Sequence, residues 1–110
     1  MERQLLTDFE LMILLAILRV GGGAYGVPIA REIEETGDRP VALASVYTAL
    51  GRLQHRGLVT SMSGEPTAER GGRSKKFFKL TAKGLRAVKA TRRALTALWT
   101  GLPELKGGIA

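Results

Sequence analysis

SVYTALGRLQHRGLV, running from Ser45 to Val59, has the spacing of an amphipathic helix that stops at Gly57. Val46, Tyr47, Leu50 and Leu53 recur at helical intervals and make an apolar stripe. Ser45, Thr48, Arg52 and Arg56 fall on the opposite side, and no carboxylate joins them. Surface helices ordinarily mix both signs. Hydroxyls and guanidinium groups reach base edges and phosphates, arginine pairing bidentately with guanine, whereas a carboxylate would be repelled by the phosphates. The residues therefore suit a polyanion, set against the plainer reading of a solvated helix face. The ring of Tyr47 is expected to pack while its hydroxyl reaches a phosphate.

The flanking sequence supplies the context. Upstream, Thr7-Asp8-Phe9-Glu10 is a capping box that opens a Leu-rich buried helix through Val20, which Gly21-Gly22-Gly23 stops. Pro28 suits a first helical turn, and Ile29, Ala30 and Ile33 stripe a second helix to Thr36. Arg31, Glu32, Glu34 and Glu35 lie largely outward, and Gly37 is expected to end the helix. A loop through Asp38 and Pro40 leads to the third helix, about Ala42 to Arg56.

Downstream, Leu58 to Ser63 and the run around Phe77, Phe78 and Leu80 predict a β-hairpin with a long basic tip. In ERGGRSKKFFKL, glycines permit a tight turn, and Arg70, Arg73, Lys75 and Lys76 surround them. Arginines on a thin finger fit the negative potential of a narrow minor groove. Thr81 caps a last helix, roughly Ala82 to Thr100, and the segment from Leu102 to Ala110 is expected to fray. The order predicts a mainly α fold with a β-hairpin: a winged helix-turn-helix with a long C-terminal dimerisation helix. Residues 1–81 would form the DNA-binding domain and residues 82–110 the dimerisation helix and tail, as one compact unit.

The last helix carries Leu85, Val88, Leu95, Leu98, Trp99 and Leu102, with positions 88, 95 and 102 at heptad spacing. Nineteen residues span about 28 Å at 1.5 Å per residue, more than so small a core covers. The distal half, Leu95, Leu98, Trp99 and Leu102, is expected to meet a second copy. Lys83, Arg86, Lys89, Arg92 and Arg93 fill the rest and extend the positive field.

Composition agrees. The 110 residues carry 17 Lys and Arg against 10 Asp and Glu, a net charge of +7. The excess is local: ten basic residues and no acid lie between Arg70 and Arg93. Such a field favours polyanionic partners. The absence of cysteine excludes disulfides and thiolate metal sites and fits a reducing cytosol. The amino terminus lacks the features of a signal peptide, and the apolar run Leu11 to Leu18 is far short of the roughly 20 residues that span a bilayer. A cytoplasmic protein, associated with the nucleoid through DNA, is expected.

Other chemistries find little support. Gly21-Gly22-Gly23-Ala24-Tyr25-Gly26 satisfies the bare dinucleotide pattern, but a capped helix precedes it where a strand is required, and no acid follows at ribose-binding distance. His55 is the only histidine and sits beside Arg56. No nucleophile–base pair or metal-ligand spacing is present, so neither an enzyme nor a cofactor is expected. A protein–protein adaptor that uses a winged fold without specific DNA binding is the alternative.

Three segments, in order, resemble the PadR family of bacterial transcriptional regulators, in its short form with a single C-terminal helix. AYGVPIAREI is similar to the family's Tyr-Gly segment at the start of its second helix. ASVYTALGRLQHRGLV matches its recognition-helix signature, with Tyr47, Leu50, Leu53, Gly57 and Leu58 in register. GGRSKKFFKLTAKG resembles its wing and the Leu-Thr-x-x-Gly that follows, here Leu80, Thr81 and Gly84. The resemblance covers roughly Leu5 to Leu85. Ala44 stands where the family often has Gly, and Phe77 and Phe78 replace common tyrosines, removing their hydroxyls. The resemblance implies a homodimer, joined through its first and last helices, that represses transcription from a palindromic operator. Some short members bind a planar aromatic effector beside a tryptophan of the last helix; here the resemblance leaves Trp99 two parts, that of the effector's neighbour or that of a residue simply filling the interface.

Overall fold

The computed structural model describes residues 5–64 and 75–105. Helix α1 (Asp8–Val20) begins as the capping box requires: the Glu10 N–H donates to Thr7 Oγ1 at 3.2 Å, and the Thr7 N–H donates to Glu10 Oε1 at 2.9 Å. It ends at Gly21, whose φ of 80° lies in the left-handed region. A single 3₁₀ turn (Gly21–Gly23) leads to α2 (Gly26–Gly37). Here the expected stop shifts by one residue. Gly37 is the last helical residue, and Asp38 takes the left-handed position with φ 54°, which a short carboxylate side chain tolerates. Helix α3 (Leu43–His55) follows, with Ala42 and Arg56 as its caps.

The hairpin pairs β1 (Val59–Ser63) with β2 (Lys76–Leu80), antiparallel, in the register Val59 to Leu80 through Ser63 to Lys76. The Phe78 N–H also donates to the Ala24 carbonyl at 2.8 Å, which ties the hairpin to the segment leading into α2. Helix α4 (Ala82–Trp99) is capped by Thr81, whose Oγ1 accepts from the Gly84 N–H at 3.0 Å and donates to the Gly57 carbonyl at 2.7 Å. A second 3₁₀ turn (Pro103–Leu105) sits where fraying was expected to begin.

One core joins the elements. Ile13 and Leu14 of α1, Ile29 of α2, and Val46, Leu50 and Leu53 of α3 are fully buried. Each such side chain contributes about 1.5–3 kcal/mol of burial. Two expectations need correction. Tyr47 does not belong to the α3 stripe: it is 47% exposed, and Ala49 takes the buried place. Val88 does not share a seam with Leu95 and Leu102, because it is buried in the chain's own core while both leucines are exposed. The helix turns only Gly84, Val88 and Thr91 fully inward. Thr91 earns its burial with a hydrogen bond, its Oγ1 accepting from the Leu6 N–H at 3.2 Å.

Candidate nucleic-acid interface

Helices α2 and α3 are joined by five residues, and α3 packs only one side inward, so its other side faces outward by construction. Ser45, Thr48, Arg52 and His55 are all exposed there. Arg52 makes no ion pair among the described residues. The Thr48 hydroxyl donates to the Ala44 carbonyl at 3.0 Å, which occupies its proton. Beside them is an open cavity of about 330 Å³ lined by Phe9, Ala44, Ser45, Thr48, Ala49 and Arg52.

Tyr47 and Arg56 differ from their neighbours. The Tyr47 ring lies on Gly26, in the first turn of α2, so closely that any Cβ there would collide with its hydroxyl end. Any larger residue at position 26 would have to displace the tyrosine ring from this seat. Arg56 is turned back into the protein: its guanidinium donates to Glu10 Oε2 of α1 at 3.1 Å, with side chains 28% and 15% exposed. The acid-free side expected from Ser45 to Arg56 therefore has a carboxylate at its end. It comes from α1, 46 residues away in sequence, where no helical spacing reveals it.

On the hairpin, Lys75 sits over the Tyr25 ring at 4.6 Å and donates to its hydroxyl at 3.4 Å. Phe77 meets the same ring edge-on at 5.7 Å, so this strand contributes packing around Tyr25. Lys76 is exposed. Arg70 and Arg73 lie outside the described residues. At the other end, Leu95, Leu98, Trp99 and Leu102 are exposed along distal α4 and beyond it.

Three residues near the outward face of α3 make contacts that the sequence reading did not assign them. Phe9 lines the cavity, and Arg39 lies over its ring at 5.2 Å while contacting Asp8 at 3.4 Å. Lys83 donates to the Arg56 carbonyl at 2.9 Å and so caps α3. A basic residue near a helix carboxyl end is an ordinary sequence signal, but Lys83 comes from another helix. Among the described residues no cluster of His, Cys, Asp or Glu is placed to hold a metal, and no helix is long and apolar enough to cross a membrane.

A helix-turn-helix whose second helix exposes one side, followed by a hairpin pinned to it, defines a winged-helix DNA-binding protein. The family model of the PadR-like transcriptional regulators matches residues 14–90, and the chain belongs to that family. Its members regulate transcription and are not enzymes. The fold is similar to a PadR-like transcription factor from Bacteroides fragilis, at 27% identity over 82% of each chain with a TM-score of 0.69. It is also similar to hsRosR-S4, solved as a complex, at 25% identity over 92% of this chain and 80% of that one, with a TM-score of 0.68. A PadR-like regulator from Bacillus cereus shares the fold at 23% identity, covering 92% of this chain and 93% of that one, with a TM-score of 0.69. No curated protein matches the sequence.

Proposed function

We propose that this DNA-binding regulator is a homodimeric, ligand-responsive repressor of a palindromic operator, working in the cytoplasm. In this reading α3 enters the major groove, where Ser45, Thr48 and Arg52 meet base edges, and Tyr47 approaches the backbone near the start of α2. The hairpin, with Arg70, Arg73, Lys75 and Lys76, flanks it. The single observation carrying the reading is the outward row Ser45, Thr48 and Arg52, exposed and with no ion-paired carboxylate among the described residues, opposite the buried Val46, Leu50 and Leu53. Arg52 suits guanine, and the methyl of the exposed Thr48 suits a thymine methyl.

Selection from random duplexes should return an inverted repeat, as two-fold symmetry requires. Against the selected site, Arg52→Ala should cost about 1–3 kcal/mol and relax preference at one base position. An equal loss on every duplex would make Arg52 a phosphate contact, and a selection without symmetry would reject the palindrome. A planar aromatic effector is proposed at Trp99, which is partly exposed beside Leu95, Leu98 and Leu102. Its binding would act by favouring one spacing of the two α3 helices. Unchanged Trp99 emission across a panel of planar aromatics would reject that part.

A further inference from the structure

Arg56 lies at the edge of the face proposed to meet DNA, yet it is held from both ends. Its carbonyl accepts from Lys83 Nζ at 2.9 Å, and its guanidinium donates to Glu10 Oε2 at 3.1 Å. The Glu10 carboxylate divides its oxygens: Oε1 closes the cap of α1, and Oε2 takes Arg56. With one partner 15% exposed and the other 28%, this pair is less screened than an ion pair on open surface. Arg52, one turn earlier and equally cationic, has no such partner among the described residues.

Two arginines on one helix thus stand in opposite states. We infer that Glu10 is a specificity-determining residue: it competes with phosphate for Arg56 and so withholds one cation from non-specific duplex binding. Phosphate attraction is independent of sequence, and each released cation strengthens binding to every duplex alike. Restraining Arg56 lowers that common background while Arg52 stays available to read a base. The inference rests on the reading that α3 faces DNA.

Glu10→Gln is the discriminating variant, because glutamine can still close the capping box through its amide oxygen while losing the charge that holds Arg56. The measurement is affinity for a random-sequence duplex as a function of salt, for wild type, Glu10→Gln, Arg56→Gln and the double variant. Glu10→Gln should steepen the log–log salt slope by about 0.9, a gain over wild type that shrinks roughly threefold between about 50 and 200 mM salt. Arg56→Gln alone should leave the slope near that of wild type, and in the double variant it should abolish the gain. If the gain survives in the double variant, Glu10 merely repels phosphate and the inference is overturned. If Arg56→Gln alone flattens the slope by about 0.9, Arg56 already contacts phosphate and the inference is likewise overturned. Circular dichroism melting checks that each variant folds. Loss of operator binding in Arg52→Ala with no slope change in Glu10→Gln sinks this inference alone. Operator binding indifferent to Arg52 sinks the underlying reading of α3.

Discussion

Gly84 shows what one residue can fix. The first turn of α4 sits so close to the residue before β1 that a Cβ at position 84 would run into the Leu58 carbonyl oxygen. Backbone cannot swing aside as a long side chain does, so Gly84→Ala should destabilise the fold by about 1–3 kcal/mol, as overpacking does. Gly22 is a fair control, having nothing within 4 Å of its would-be Cβ, and Gly22→Ala should move the urea midpoint little. Equal midpoints for the two variants would show that α4 can slide to relieve the contact. The pattern Leu80-Thr81-x-x-Gly84 was legible in the sequence, as was the Thr81 cap. Its reason was not, because Leu58 lies 26 positions earlier and only the turn at Gly57, with φ 77°, brings it alongside. Gly26 repeats the lesson through Tyr47.

Elements were read well wherever caps and periodicity are local. The start of α1 followed from Thr7 and Glu10, and both strands followed from short apolar runs. What joins elements was harder to see, since a partner across a helix interface has no fixed sequence separation. Glu32 looked like part of a solvated face. It accepts from the Thr36 hydroxyl at 2.6 Å on its own helix and from Arg19 of α1 at 2.7 Å, bracing α2 against α1. The Thr36 hydroxyl first, and then the Arg19 guanidinium, hold the Glu32 carboxyl below the ordinary carboxylate range. A carboxyl depressed by folding adds stability above its unfolded pKa and loses it as pH falls through the folded value. Wild type should therefore exceed Glu32→Gln in urea midpoint at neutral pH, with the gap closing as the pH falls through the lowered carboxyl pKa of the folded chain. A gap that stays constant with pH would mean that the brace works through shape and hydrogen bonding without the charge.

At the scale of the molecule, α4 is longer than the body it leaves. Its inward residues end with Thr91, and Leu95, Leu98, Trp99 and Leu102 continue along a surface that the described residues leave open. Leu15 and Leu18 on α1 are similarly open. Isolated exposed leucines need no explanation, whereas a run of them with a tryptophan marks a contact surface. The overhang was legible because helix length and core size both follow from the sequence. Which α4 residue belongs to which surface was not, since heptad spacing cannot separate Val88, claimed by the chain's own core, from Leu95. In the proposed dimer, two-fold symmetry counts every interface residue twice. Leu98 is 75% exposed in the single chain, so Leu98→Glu should hardly disturb that chain's fold. Losing two buried leucines should cost the dimer about 3–6 kcal/mol, on the order of a hundredfold to ten-thousandfold in dissociation constant. Sedimentation at micromolar concentration should give a dimer for wild type and a monomer with an unchanged circular dichroism spectrum for Leu98→Glu. Operator binding should then become steeply dependent on protein concentration, because each half-site must be filled by a separate chain. A variant that still sediments as a dimer would move the interface off distal α4.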